Sequence, residues 1–324
     1  MKEYDVVAIG ECLVDVVCTR QGDKLQMEGN PGGAPANVLA IMAKLGHRTA
    51  LVSKVGADAF GTFLRDQVEQ AGVEVDSVVR DEYHPTTLAI VQLDDTGNRS
   101  FNFYRDRTAD VMLTADELPV YKLQNTKILH FGSLSLTTEP ARSATLRAVE
   151  LARQAGALIS YDPNLRPALW ADLDEAKSMI ALGMQQADLI KVSLEEVEFL
   201  TGQTDAVQGA KQLYATYHPA LLAVTLGPGG CIYVTERGLQ QQPTFDIPCV
   251  DTTGAGDASW GAALSWLLQQ PAAPAELSAE AVCSLMDFAN AAGSLATTKQ
   301  GAIPAMPGRQ QIEQCILTVP RLLR

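Results

Sequence analysis

The stretch "DTTGAGDASWGAAL" at residues 251–264 sets two carboxylates, Asp251 and Asp257, around two glycines, Gly254 and Gly256. It runs straight into an apolar helical pattern. A glycine loop entering a helix exposes backbone N–H groups in a concave array. With the positive end of the helix dipole, that array suits a phosphate or another developing anion. Asp257 falls in the first helical turn, where a carboxylate is stabilised and stays ionised. An ionised acid beside an anion hole can serve as general base towards a hydroxyl, which is worth roughly 10²–10⁴-fold in rate. Asp251 could order the turn or hold a cation. The plainer alternative stands beside this one: Asp257 does no more than cap a helix, and the glycines do no more than make a tight turn.

Other stretches carry weaker signals. In "NPGGAPANVLAIMAKLG" (residues 30–46), Gly32 and Gly33 permit close backbone approach, Pro35 suits a first helical turn, and Asn37 can donate and accept towards hydroxyls. A simple N-capped helix explains the same residues. Asp15, inside the apolar run "GECLVDVV", needs a partner, which a hydroxyl-rich ligand or a lysine would supply. Arg166 follows a strand-like run in "YDPNLRP", where ligands of open α/β sheets bind. Arg105 lies in "NFYRDRTAD", and either arginine could instead be solvated. "VTLGPGG" (residues 224–230) is a strand-to-glycine turn fit for phosphate or ribose. No G-x-x-x-x-G-K-[ST] is present, and "AIGECLVD" stands where a dinucleotide fingerprint would follow the first strand. A dinucleotide oxidoreductase is therefore disfavoured, and phosphate handling must come from another loop system.

The elements that must position these residues follow from patterning. Short runs such as "DVVAIG", "TALVSKVG", "KILHFG", "LISYDPN", "LIKVS" and "LLAVTLG" read as buried strands. Between them, "APANVLAIMAKLG", "GTFLRDQVEQAG", "EPARSATLRAVELARQAG" and "SLEEVEFLTG" have helical apolar spacing and end near glycine. That alternation predicts βαβ units and a mainly parallel sheet covered on both faces. Two early segments, "CLVDVVCTRQGDKLQMEGN" and "TTLAIVQLDDTGNRSFNFYRD", read as hairpins of a small projecting sheet, the second turning at "DDTGN". "QQPAAPAELS" reads as a connector between late helices. With 324 residues the chain has length for one or two domains, and its 47% hydrophobic and 19% charged residues are those of an ordinary globular protein. A net charge of −13 argues against nucleic acid or an anionic membrane as partner. An anionic ligand would need a local positive site. Six scattered cysteines without a C-x-x-C pair suggest reduced thiols and a cytoplasmic setting. No run is long enough for a membrane span, the N-terminal apolar run is too short for a signal peptide, and the four separated histidines give no zinc pattern.

Taken together, "GECLVD", "GGAPAN", "DTTGAGD" and "ATTKQGAIPAMP" resemble the ribokinase-type (PfkB) carbohydrate kinase family nearly end to end. Within it, "FYRDRTAD", "HFGSLSL", "SYDPNLRPALW" and "KVSLEEVEFLTG" look most like fructokinases. The resemblance implies a single three-layer αβα domain around a mostly parallel sheet. It would carry a β lid from about residues 12–33 and 85–111, whose open strand edges suit a homodimer. It implies an ATP-dependent sugar kinase, with fructose to fructose 6-phosphate as the expected reaction. The rivals are 2-keto-3-deoxygluconate kinase, which shares the "DPNLR" region, and a non-catalytic sugar or nucleotide sensor on the same scaffold. Asp257 would be the base, with N–H groups around Gly254, Ala255 and Gly256 as the anion hole. Asp15, Gly32, Gly33, Asn37, Arg105 and Arg166 would hold the sugar or its neighbouring phosphate. Lys191, Ser193, Thr225, Gly227, Gly230 and Asn290 would border ATP. Asp251 would join the main-chain oxygens of Thr253, Ala296, Lys299 and Gly301 around a monovalent cation such as K⁺. Glu196 would act indirectly on Mg²⁺. This chain departs from the family pattern at Ser193, which lacks an amide, at Ser259, where phenylalanine is common, and at Ala305, which lacks a cation-facing hydroxyl.

Overall fold

The protein, seen in a computed structural model, is described over residues 2–93 and 99–322. Its strands are β1 (Tyr4–Ile9), β2 (Leu13–Gln21), β3 (Lys24–Gly32), β4 (Thr49–Gly56), β5 (Val78–Asp81), β6 (Leu88–Leu93), β7 (Arg99–Tyr104), β8 (Thr126–Phe131), β9 (Leu158–Tyr161), β10 (Leu189–Ser193), β11 (Leu221–Thr225), β12 (Cys231–Thr235) and β13 (Gly238–Gln242). Its helices are α1 (Ala34–Lys44), α2 (Ala59–Gln70), α3 (Val120–Gln124), α4 (Ala141–Gln154), α5 (Leu173–Gln185), α6 (Leu194–Thr201), α7 (Ala206–Tyr217), α8 (Ala255–Leu267), α9 (Ala279–Ala296) and α10 (Arg309–Thr318).

The larger sheet runs β13-β12-β11-β10-β9-β8-β1-β4-β5, with β12 antiparallel to both β11 and β13 and the other neighbours parallel. Successive side chains leave opposite faces of a strand, so a strand covered on both sides must be apolar throughout. β1 shows it. Val7 and Ile9 enter the core shared with α4, α5 and α7, while Val6 and Ala8 enter the core shared with α1, α8 and α9. All six strands read from the sequence lie in this sheet, and the four helical readings correspond to α1, α2, α4 and α6. The αβα layering is thus the observed architecture.

The two hairpin segments make a second sheet in the order β3-β2-β6-β7. β2 and β3 pair from Leu13↔Gly32 to Gln21↔Lys24, and a parallel β2–β6 ladder joins them to the second segment. The turn read at residues 94–98 lies outside the described residues. Because β2 begins four residues after β1 ends, the small sheet hangs over the same end of the large one where β9, β10 and β11 finish.

Candidate active site

The 251–257 loop is folded by its own acids and glycines. Asp251 Oδ1 accepts the Thr253 N–H at 2.7 Å, and Oδ2 accepts the Gly301 N–H at 3.1 Å, so one carboxylate ties this loop to the segment after α9. Gly254 then caps α8 with φ of 75°, a left-handed conformation that a side chain resists. A Cβ there would also lie 2.5 Å from that of Ala302. The turn delivers Ala255, Gly256 and Asp257 as the first three residues of the helix. The Ala255 N–H is spent on Thr252 O at 3.2 Å. The N–H groups of Gly256 and Asp257 follow in a turn for which the helix itself supplies no carbonyl. Of the N–H groups expected to face an anion, that of Ala255 is thus engaged, and those of Gly256 and Asp257 are the ones for which the helix supplies no acceptor.

Asp257 is 9% exposed, and its Oδ2 accepts from Asn37 Nδ2 of α1 at 2.8 Å. Burial pushes its carboxyl above the ordinary range, helped by the Asp162 carboxylate; Lys191, Asn37 and Arg166 act against the rise. The sequence reading takes this acid as stabilised in its charged form; burial instead raises its proton affinity, which makes Asp257 a stronger proton acceptor. Lys191 Nζ donates to Asp162 Oδ2 at 2.8 Å, with both side chains buried. Burial alone would lower the Lys191 ammonium, but Asp162, Glu196 and Asp257 together push it up to about 12. Glu11 is a further buried acid. Desolvation drives it up to about 7, while its Oε1 accepts the Ala34 N–H at 3.0 Å at the start of α1.

Two cavities meet at this loop. One, of about 400 Å³, is polar and lined by Glu11, Asp15, Gly33, Asn37, Phe103, Asn164, Arg166, Lys191, Gly254 and Asp257. The other, of about 410 Å³, is lined by Ser193, Thr225, Gly227, Gly230, Asn290 and Ala255, with Phe245 and Ile247 as an apolar wall. Thr252 and Gly256 border both. Such a pair can hold two ligands end to end, with Asp257 and the open N–H groups at the seam.

Most of the expected residues come together, with several changes of place. Lys191 faces the polar cavity and not the second one. Gly32 lies behind the wall: a Cβ on it would stand 2.3 Å from Asp15 Oδ2, so its missing side chain makes room for that carboxylate. Arg105 does not line either cavity. Its guanidinium donates to Asp110 Oδ2 at 2.7 Å, Thr137 Oγ1 at 2.9 Å and Leu134 O at 2.9 Å, pinning the end of β7 to the main layer. Glu196 closes a capping box at α6, its oxygens accepting the N–H groups of Leu165 and Ser193 at 2.7 Å each. Both oxygens of this acid are engaged by the protein. Sequence reasoning passed over Asp162, Glu11 and Phe103. "YDPN" and "GECL" held the first two in plain view, but nothing in spacing marks Glu11 as facing a cavity or Asp162 as the buried partner of Lys191.

The chemistry of a monovalent cation fits around Asp251. Ala296 is the last residue of α9, where carbonyls lack intrahelical partners and the helix dipole favours positive charge. Thr297 O accepts the N–H groups of Val250 and Asp251 at 2.8 and 3.0 Å, which brings that carbonyl-rich end beside the carboxylate. Ala305, buried nearby in sequence, adds no oxygen from its side chain. Among the described residues no group of three or more His, Cys, Asp or Glu side chains could hold a metal ion.

Comparison with known proteins agrees with this geometry. The sequence pattern of the pfkB family carbohydrate kinases matches residues 4–309. Fructokinase-1 of Zea mays is 44% identical over 317 residues, covering 96% of this chain and 97% of the other. Probable fructokinase-3 of Arabidopsis thaliana is 43% identical over 309 residues, covering 93% and 88%. The ATP-bound crystal structure of a fructokinase from Xylella fastidiosa superposes with a TM-score of 0.90 at 34% identity, over 98% of this chain and 99% of that one. A Vibrio cholerae O395 fructokinase double mutant, holding fructose, ADP and a potassium ion, gives 0.87 at 32% identity over 98% and 99%. With its family pattern spanning nearly the whole length and relatives above 40% identity, the chain belongs to the pfkB family of carbohydrate kinases.

Proposed function

We propose that this kinase is a fructokinase, transferring the γ-phosphoryl group of ATP to the 6-hydroxyl of fructose. The observation that carries the reading is the seam: Thr252 and Gly256 border both cavities, and Asp257 stands beside them. ATP occupies the cavity walled by Phe245 and Ile247, near Ser193, Thr225, Gly227, Gly230 and Asn290. The sugar occupies the polar one, its hydroxyls facing Asp15, Asn37 and Arg166. Asp257 takes the proton of the attacking hydroxyl. The oxygen then bonds to the γ-phosphorus, the bond to the bridging oxygen breaks, and ADP leaves with that electron pair. Lys191 and the N–H groups of Gly256 and Asp257 receive the negative charge that spreads over the transferring group. Asp251, with carbonyls of Thr253, Ala296, Lys299 and Gly301, would hold a K⁺ ion, whose charge would help to stiffen the loop that presents those N–H groups, and Mg²⁺ held mainly by the nucleotide's phosphates would supply further charge neutralisation.

A neutral sugar suits this cavity better than an acid sugar. Glu11, Asp15 and Asp257 line it, while Lys191 is paired with Asp162 and Arg105 is spent on Asp110. A sugar carboxylate would find Arg166 as its main cation and three acids around it, which disfavours 2-keto-3-deoxygluconate. A sensor would gain nothing from a buried proton acceptor at the seam, so catalysis is favoured over sensing. We further read the chain as one cytoplasmic domain with β2, β3, β6 and β7 as its lid. Leu25 and Met27 of β3 are 61% and 59% exposed, an apolar edge that a second copy would cover in a homodimer. The test is ADP release from ATP with a panel of sugars. Fructose should give the highest kcat/KM. A tenfold preference for 2-keto-3-deoxygluconate would overturn the fructose assignment, and ATP binding without sugar-stimulated turnover would overturn the enzyme.

A further inference from the structure

Asp162 is 2% exposed, sits just beyond β9, and is absent from the lining of both cavities. Its Oδ2 accepts from Lys191 Nζ at 2.8 Å and its Oδ1 accepts the Asn164 N–H at 3.2 Å, so both oxygens are directed. Lys191 reaches from β10 to the start of α8: a Cβ placed on Gly256 would lie 3.1 Å from its Nζ. The ammonium therefore stands between Asp162 on one side and the first helical turn, with its open N–H groups, on the other. We infer that Asp162 is a positioning residue for phosphoryl transfer, anchoring Lys191 so that its charge meets the transferring group and does not collapse onto Asp257. The inference rests on the kinase reading above.

The need for an anchor is electrostatic. Two unlike charges in a shielded cavity attract strongly unless one is already engaged. Without Asp162, Glu196 and Asp257 are the carboxylates left to draw Lys191; Glu196 already accepts two backbone N–H groups, and an Asp257 locked in an ion pair would accept a proton poorly. The groups around Asp257 are few. Asn37 faces it from α1, Arg166 from the loop after β9, and Lys191 from β10, while α9 brings the uncharged Gly293 and Asn290 to this end of α8. Glu11 and Asp15 line the same cavity. Glu196 faces Lys191 but is held by the Leu165 and Ser193 N–H groups. His130 on β8 stays neutral, its ring lowered to about 4 by burial and its Nδ1 bonded to Ser160 Oγ at 2.9 Å. After burial, Asp162 raises the Asp257 carboxyl and Lys191 lowers it, so altering the two should move the base in opposite directions.

The experiment is the pH profile of kcat at saturating fructose and ATP. In Asp162→Asn, the raising charge is lost and Lys191 is released towards the base, so the acid limb moves to lower pH while plateau kcat falls about tenfold or more. In Lys191→Met the acid limb moves to higher pH, and kcat falls too. The double variant brings the limb back between the two and keeps the low rate. A merely structural role would lower activity or Tm and leave the limb in place. Limbs that stay put, or move in the same direction, overturn the inference while wild-type fructose turnover leaves the kinase reading intact. The ¹³C carboxyl signal of Asp257, assigned by its loss in Asp257→Asn, gives the same opposed shifts without turnover. Should Asp162→Asn fail to fold, Lys191→Met decides alone, and a carboxyl titration unmoved in it is contrary.

Discussion

Gly32→Ala separates the packing of the sugar-facing acid from backbone strain. Gly32 pairs with Leu13 at the base of the β2–β3 hairpin and is not among the positive-φ glycines, so alanine meets no conformational penalty there. Its Cβ would stand 2.3 Å from Asp15 Oδ2 and 2.9 Å from Cγ. Ordinary non-bonded contacts are about 3.5 Å, so the carboxylate must retreat by roughly 1 Å. A displacement of that size takes a carboxylate out of hydrogen-bond range of a fixed hydroxyl, and a bond to a charged group is worth about 1.5–3 kcal/mol. At about 1.4 kcal/mol per decade, KM for fructose should rise roughly 10- to 100-fold. KM for ATP should hold, because the second cavity lies beyond the seam. Coupled ADP-release kinetics with each substrate varied in turn provide the assay. A folded variant whose fructose KM stays within about twofold of wild type would refute the role given to Asp15.

Two further outcomes follow from the same geometry. Glu11, pushed up to about 7 from 4.5, binds more protons in the folded chain than in the unfolded one between those values, so its burial is tolerated at acid pH and costs stability as pH rises through the window. Glu11→Gln keeps an acceptor for Ala34 N–H and removes the titration; its Tm should vary less than wild type from about pH 5 to about pH 8 and exceed it at the upper end, and equal slopes would contradict this. Turnover should rise when K⁺ replaces a bulky organic cation at fixed ionic strength, and Asp251→Ala should erase the response. Equal rates in both salts for the wild type would show that Asp251 serves only the Thr253 and Gly301 N–H groups.

The sequence carried the layered fold because β1, β4, β8, β9, β10 and β11 are apolar on both faces and are separated by helices that end at glycine. It did not reveal β5, β12 or β13. β5 is four residues long, and "GLQQQ" of β13 is polar because it forms the outer edge, so neither shows the strand pattern of the interior. Helices α5 and α7 were not read either, although each opens on an aspartate cap, at Asp172 and Asp205. In the site, residues within one compact motif were legible, since the loop from Asp251 to Asp257 is a single local structure. Relations between distant segments were not. Only the fold brings Asn37 to Asp257 across 220 positions and Lys191 to Asp162 across 29, or turns Arg105 inwards to Asp110. The raised proton affinity of Asp257 comes from burial, which has no signature in the loop's own residues.

The central claim, that Asp257 removes the proton from a fructose hydroxyl at the junction of two ligand cavities, is tested most directly by Asp257→Asn. The amide oxygen of the variant can still accept from Asn37 Nδ2, so the 2.8 Å tie between α8 and α1 is preserved and only the base is lost. Fructose binding, measured by calorimetry, should stay within a few-fold of wild type, while kcat in single-turnover and steady-state assays should fall by about 10² or more. Near-normal turnover in a correctly folded Asp257→Asn protein would contradict the account.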